Sequence, residues 1–577
     1  MQDVTIVGTF VVWFLFSGRL GFLKVMPKDK NTTHARGEAI VVAVITLVCL
    51  APFVNKAFHI DDPLFIWTAK HIQTNPSDFY GFSVNWYGVA GSMAETAQNP
   101  PLACYYIALV ASLFGFSEVA LHIAFIVPAV AAALGTYYLA RRFCSRPVLA
   151  AMAAVLTPAF LVSSTNIMCD TMMLAFWVWA VFLWVRGIEE NNRLSLFWAA
   201  VLAAICALTK YFGMALLPLL LVYSLMQKRK VGTWIAFLLI PVAILAGYQR
   251  LTYNLYGRGL LLDAAAYAIK HGELLNFKLF SKGLAGLFFT GGCIITAIFY
   301  CPLLWKRRTL ISGAAVIIMF TFILSFVKQI GGTPIKNDDG IRWSFLLQIG
   351  LMAAAGVNVF GLAVADFWKN RNAESLLLLL WIFGIFLFAG FINWTINARS
   401  ILPMTPAVGI LLMRRIDQYN NKGAKRTKTA RQAWPLVFAA VAALLVCRAD
   451  YLWANTARSS AAEINKKFKN TNRTVWFQGH WGFQYYMEAI GVKPFDFNHP
   501  EKIVSKDIVV IPSNNTNINL LPKDAAYLSE FLQFDSGRNL ATMDLQLGAG
   551  FYTGMWGPLP FVVGKVTPEK YYIFVIK

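Results

Sequence analysis

Two adjacent carboxylates, Asp61 and Asp62, stand in the stretch His59-Ile60-Asp61-Asp62-Pro63, just past an apolar run long enough to cross a membrane. Charge at a membrane boundary is costly unless it has a partner or a task. One task is structural, since acids cap a helix that starts near Pro63. The other is chemical, since a carboxylate there can take a proton from an acceptor hydroxyl. The loop that follows carries Trp67, Lys70, His71, Tyr80, Asn85, Trp86, Tyr87 and Asn99. Aromatic faces beside hydrogen-bonding groups suit sugar rings, which have apolar faces and hydroxyl edges.

Asp170 lies in a short turn, Ser164–Asp170, between two apolar runs, as a helix cap or as a second acid. Lys210 interrupts the runs Ala203–Leu208 and Tyr211–Leu221. It either snorkels to headgroups or holds a phosphate. Arg399 stands in Asn397–Pro403, and Arg258, Lys336 and Arg342 share the same expected face. Cations gathered on one membrane face could neutralise a lipid phosphate, which arginine grips bidentately.

The elements that must position these residues are membrane spans. Of the 577 residues 58% are apolar and 14% charged, the composition of a polytopic membrane protein. The net charge of +22 does not point to nucleic acid, because the basic residues form no stripe. They cluster in short loops, at 141–146, 228–230, 306–308 and 414–431, as orientation signals do. Threading between these loops predicts about fourteen spans of roughly 20 residues. They fall near 4–23, 38–57, 120–140, 148–165, 171–186, 194–209, 211–226, 232–248, 283–304, 309–327, 343–363, 375–392, 400–414 and 433–449. The first reads as a retained helix, not a signal peptide. The basic loops then lie on the cytoplasmic face. The loop 58–119, the turn 165–170, the loops 249–282 and 328–342 and the turn 393–399 lie on the other.

Asn99-Pro100-Pro101-Leu102 breaks the chain before a short apolar run, Ala103–Phe116, which fits an interfacial or re-entrant helix. The segment 450–577 is less apolar and reads as a small α/β domain. Strands are expected at Thr474–Phe477, Asp507–Pro512 and Tyr571–Ile576, and helices at Trp481–Ile490 and Ala525–Leu532. The His480–Phe483 patch reads as packed core in preference to an acceptor contact. Eight scattered cysteines make no CxxC pair and support neither a zinc site nor a disulfide framework. No Gly-rich phosphate loop is present, so no nucleotide site is expected. No cofactor is called for. A divalent cation beside a phosphate is compatible with the acids, but no ligand spacing demands one.

In this order the residues resemble the GT-C class of polytopic glycosyltransferases, in the branch of the aminoarabinose–lipid A transferases and protein O-mannosyltransferases. The resemblance runs over roughly the first 450 residues. Asp61-Asp62 resembles that branch's acidic pair, whose first acid is the catalytic base. Pro100-Pro101-Leu102 with Tyr105-Tyr106 resembles its interfacial helix, and Asp170 its second acid. Leu208-Thr209-Lys210 resembles an element whose lysine approaches the lipid phosphate. Arg399-Ser400-Ile401-Leu402-Pro403 resembles a stretch before a late span. Tyr211 departs from the glycine usual after the lysine, and Asn99 stands where the aminoarabinose enzymes carry Glu-Lys.

The resemblance implies an all-α membrane fold of about 13–14 helices with a periplasmic C-terminal domain, in a bacterial inner membrane. It implies a polyprenyl-phosphate sugar as donor and a lipid, glycan or protein as acceptor, with inversion at the anomeric carbon. Rival readings are a transporter or flippase of lipid-linked glycans and an oligosaccharide ligase. A flippase would place charge at mid-membrane and often show inverted repeats. Here the charges sit at span ends.

Overall fold

Apolar segments in a bilayer must satisfy their backbone groups internally, so they fold as helices. The computed structural model describes residues 32–97, 99–271, 278–420 and 429–577. The span expected at 4–23 and a piece of the last basic loop, 421–428, lie outside the described residues. Among the described residues, nine helices are long and apolar enough to cross a membrane. A tenth counts if Phe280–Cys293 and Thr296–Leu304, bent by 77°, are one span. The protein is thus a multi-pass helical membrane protein.

Three further expected spans do not form one long helix of spanning length. The segment at 148–165 divides into Pro147–Val155 and Pro158–Ser163, because Pro158 starts a new helix capped by the Thr157 hydroxyl. The segment at 194–209 is a helix of 17 residues, Arg193–Thr209. The segment at 400–414 begins as one turn, Ala398–Ile401, passes Pro403 and resumes at Thr405–Asn420.

Seven helices surround or lead into the site. They are α1 (Thr32–Leu50), α2 (Asp62–Thr74), α3 (Leu102–Phe114), α4 (Glu118–Phe143), α5 (Cys169–Glu189), α6 (Arg193–Thr209) and α7 (Ala398–Ile401). The basic loops meet at one end of the bundle. Arg142 pairs with Glu189 at 2.7 Å and Glu190 at 2.8 Å, Lys228 donates to Asn191, and Arg146 pairs with Asp417. Arg414 reaches Glu374 at 2.8 Å and Asp366 at 3.2 Å. Asp61, Asp170, Lys210 and Arg399 meet one another at the other end of α5 and α6.

Pro63 in its first turn starts α2, and Pro101 precedes α3. At 13 residues α3 is about 20 Å long, too short to span. It packs on α2, where Gln73 donates to the Ala108 carbonyl at 3.0 Å, and on α4, where Tyr106 donates to Ala124 at 2.7 Å.

The last span does not end near 449. It continues as α8 (Thr429–Phe468), a 40-residue helix that enters the C-terminal region unbroken. Beyond it stand β1 (Val475–Phe477), α9 (Trp481–Ala489), β2 (Lys493–Pro494), β3 (Ile508–Pro512), β4 (Ala526–Phe534) and β5 (Glu569–Ile576). They form a five-stranded mixed sheet in the order β4-β5-β3-β1-β2. The β1 and β3 strands are parallel, with Phe477 opposite Val510, and β5 runs antiparallel to β3, with Ile573 opposite Val510. The helix expected at Ala525–Leu532 is instead the edge strand β4. A register shift between Leu528 and Glu530 breaks its alternation, so the segment lacks the strict period of two that marks a strand.

Candidate active site

A cavity of about 830 Å³ opens where α2, α5, α6 and α7 converge. Its charged wall is Asp61, Asp170, Lys210 and Arg399, and its apolar arm includes Trp177, Leu219, Val222, Leu380, Ile385 and Phe388. Each charged side chain sits at a helix end. Asp61 is the N-cap of α2, yet its side chain makes no cap hydrogen bond, which leaves the carboxylate to other partners. Asp170 is in the first turn of α5, where the helix dipole favours an anion. Lys210 terminates α6, and its backbone N–H closes on Cys206. Arg399 rides on α7, whose N-cap Asn397 accepts from the Ser400 N–H at 2.8 Å.

The four charges form a row. Lys210 Nζ lies 2.5 Å from Asp170 Oδ1, and Arg399 Nη1 lies 4.0 Å from Asp170 Oδ2 and 3.0 Å from Asp61 Oδ2. Two acids and two cations balance, so the row as it stands carries no net charge. Exposure separates the acids. The Asp61 side chain is 30% exposed, whereas Asp170 is 2% exposed. Asp61 is therefore the more open of the two acids to a substrate hydroxyl.

Asp62, the second member of the acidic pair, is placed differently from Asp61. It is fully buried and does not line the cavity. Its Oδ2 accepts from the His59 N–H at 2.8 Å and its Oδ1 from the Ile167 N–H at 2.9 Å. The side chain ties the chain before α2 to the turn before α5. Burial pushes its carboxyl up to about 7, against the opposing pull of those N–H donors and of Lys56. Ile60, between His59 and the acidic pair, holds φ at 46°, a left-handed conformation that a β-branched residue adopts only under constraint.

Of the expected sugar loop, Tyr80, Trp86, Tyr87 and Asn99 line the cavity. Trp67 and Asn85 do not. Trp67 packs edge-on against Trp86 at 6.0 Å, and Asn85 donates to the Phe495 carbonyl at 3.3 Å. The wider convergence of cations is not realised. Arg258 is held by Glu95 at 2.9 Å and Asp263 at 2.5 Å. Arg342 donates to the carbonyls of Pro334 and Leu547, and Lys336 stands exposed in a hairpin. None of the three lines the cavity. Local acids and carbonyls satisfy Arg258 and Arg342 where they stand.

Residues outside the sequence-based set lie directly behind this wall. Lys56 and Asp450, both fully buried, pair at 2.5 Å. Lys56 also donates to Asn166 at 2.6 Å, and Thr542 donates to Asp450 at 3.0 Å. Tyr552, which lines the cavity, donates to Asp450 at 2.8 Å and accepts from Asn166 at 2.8 Å. A lysine followed two positions later by Phe58-His59 was the visible signal, since such polarity at the end of an apolar run needs a buried partner.

His480, read from sequence as core, is indeed buried, but against the cavity-lining loop. Its ring stacks on Trp86 at 4.6 Å, Nδ1 lies 2.8 Å from the Trp86 carbonyl, and Nε2 lies 2.6 Å from the Thr516 hydroxyl. Asn517 Nδ2 also lies 2.7 Å from Nδ1, so the ring is held at both nitrogens. Burial lowers its pKa to about 4, which keeps the ring neutral. Among the described residues, no group of three or more His, Cys, Asp or Glu side chains is placed to hold a metal ion.

Residues 98–248 match the model of a family described as dolichyl-phosphate-mannose-protein mannosyltransferase. The matched segment starts beside Asn99 and contains both Asp170 and Lys210. The match covers about a quarter of the chain. No curated protein sequence matches it. Among solved structures it is similar to the Archaeoglobus fulgidus oligosaccharyltransferase in its apo form, at 13% identity and a TM-score of 0.48, over 84% of this chain and 70% of that one. It is also similar to ArnT from Cupriavidus metallidurans bound to undecaprenyl phosphate, at 12% identity and a TM-score of 0.43, over 83% of this chain and 93% of that one. A shorter likeness, over 40% of this chain and 34% of that one, links it to the Saccharomyces cerevisiae Pmt1-Pmt2 complex bound to its sugar donor, at 16% identity and a TM-score of 0.31.

Proposed function

We propose that this protein is a GT-C glycosyltransferase that moves a sugar from a polyprenyl-phosphate donor to an acceptor hydroxyl or phosphate, on the extracytoplasmic face of a bacterial inner membrane. The observation that carries the reading is the union, in one cavity, of a charged row and an apolar arm. The arm suits a polyprenyl tail, and Lys210 and Arg399 suit its phosphate. The aromatic loop of Tyr80, Trp86 and Tyr87 suits the sugar. The family whose model matches residues 98–248 is named for a dolichyl-phosphate donor, which is a polyprenyl phosphate in chemistry. The face follows from the basic loops, which gather at the end remote from the cavity and would be cytoplasmic by the positive-inside rule.

In this reading Asp61 takes the proton of an acceptor hydroxyl as its oxygen attacks the anomeric carbon. The bond from that carbon to the phosphate oxygen breaks on the opposite face, giving inversion. Polyprenyl phosphate leaves with an additional negative charge. Cations already in place lower the barrier by stabilising that charge as it grows. Asp61 is the exposed acid of the row, so it takes the role of base, and Asp170 that of counter-ion to Lys210 and Arg399.

The test is transfer from a purified polyprenyl-phosphate sugar by the full chain in liposomes. Asp61→Asn is expected to cut turnover by about 10²–10⁴-fold, the usual contribution of a general base. Full activity in that variant would overturn the assignment. The acceptor class can be read independently, by mass spectrometry of envelope glycans and glycoproteins with and without the protein.

A further inference from the structure

We propose that the glycine-rich C-terminal loop Gly548–Gly557 is a working part of the cavity, with Tyr552 as a positioning residue for Arg399. The inference rests on the donor-binding reading above and names a residue that reading does not need.

The loop lies far from α7 in sequence and is bonded to it directly. The Ala398 N–H donates to the Phe551 carbonyl at 2.8 Å, and the Gly554 N–H donates to the Ile396 carbonyl at 2.7 Å. The hydroxyls of Thr395 and Thr553 meet at 2.9 Å. These contacts bracket Arg399 on its N-terminal side. Glycine is required at this strap. A Cβ on Gly554 would lie 2.5 Å from Ile396 Cγ2, and one on Gly557 would lie 2.0 Å from the Gly548 backbone.

Tyr552 is the side chain the strap presents. The Arg399 guanidinium lies 5.7 Å from its ring centroid, within cation–π range. The ring cannot turn away, because its hydroxyl is committed on both sides: it donates to Asp450 and accepts from Asn166. Asp450 is itself fixed by Lys56 and Thr542. Position is thus passed from a buried ion pair to a phenol ring, from the ring to Arg399, and from Arg399 to Asp61.

Undecaprenyl phosphate binding to the full chain in detergent, followed by tryptophan fluorescence, tests this. Tyr552→Leu is expected to weaken binding about tenfold in the native background and less than twofold in an Arg399→Ala background. Tyr552→Phe keeps the ring but loses the hydroxyl contacts that fix it, and is expected to weaken binding by an intermediate amount, about threefold, again only where Arg399 is present. Should Tyr552→Leu fold poorly, Gly554→Ala displaces the same strap through Ile396 and is expected to show the same dependence on Arg399. Equal losses with and without Arg399 would mean that the ring acts as general packing, and would overturn the inference alone. If the native chain does not bind undecaprenyl phosphate, the donor reading itself falls, and this inference with it.

Discussion

The acidic pair divides its labour by solvent exposure. Asp61, its side chain unused as a helix cap, faces the cavity and Arg399. Asp62 faces only backbone N–H groups. Replacing it with Asn sets an amide NH2 against one of those donors and leaves a buried N–H unpaired. Asp62→Asn is expected to lower stability by about 1–3 kcal/mol. Transfer per folded molecule should stay near the native level. Thermal unfolding alongside a single-turnover assay separates the two effects. A native unfolding midpoint with lost turnover would make Asp62 a reacting group after all.

At the scale of elements, the sheet of the C-terminal region carries its own pH response. Glu569 opens β5, is 6% exposed, and accepts from Asn514 at 2.9 Å and from Ser513 at 3.4 Å. Burial is the main cause that raises its carboxyl to about 7, and nearby Asp544 adds to the rise. A carboxyl with a higher pKa folded than unfolded holds its proton more tightly in the fold. Its contribution therefore favours the fold at low pH and is lost as pH rises from about 4.5 toward 7. The ceiling on that loss is about 3 kcal/mol. The unfolding midpoint is expected to fall between pH 5 and pH 8, and Glu569→Gln to flatten the slope.

The elements also show which features were legible in the sequence. The acidic pair, Asp170, Lys210 and Arg399 were found because charge at the end of an apolar run is conspicuous, and the cavity gathers all of them except Asp62. The strands β1, β3 and β5 were found from short β-branched and aromatic runs. The β4 strand was not, because its bulge interrupts the period-two alternation that marks a strand. The Lys56–Asp450 pair was hidden for a different reason. Lys56 is conspicuous at the end of an apolar run, but its partner lies 394 positions away, and no local pattern names it. Tyr552 is one tyrosine among 21, with nothing in its neighbours to mark it.

At the scale of the whole molecule, dividing the chain into a membrane domain, 1–449, and a soluble domain, 450–577, has a cost. The boundary cuts α8 one residue before Asp450, the partner of Lys56. Removing one member of a buried ion pair costs about 3–5 kcal/mol. A chain ending at Ala449 is therefore expected not to accumulate as a folded protein, as judged by size-exclusion profile after detergent extraction. A Lys56→Met change in the truncated chain should restore some of the yield, because it removes the orphaned charge. A stable, monodisperse truncated chain would show that the membrane domain folds alone.

The unbroken helix α8 has a mechanical consequence. Forty residues of α-helix measure about 60 Å, roughly twice the hydrocarbon thickness of a bilayer. A rod of that length, rooted among the spans and packed on the sheet, behaves as a mast. The sheet at its top cannot swing away at the membrane surface, because there is no joint there to swing on. Motion that admits a bulky lipid must come from other walls. The π-helical turn Phe388–Ile392, which borders the apolar arm, is a suitable yielding point, since its helical winding is already loosened.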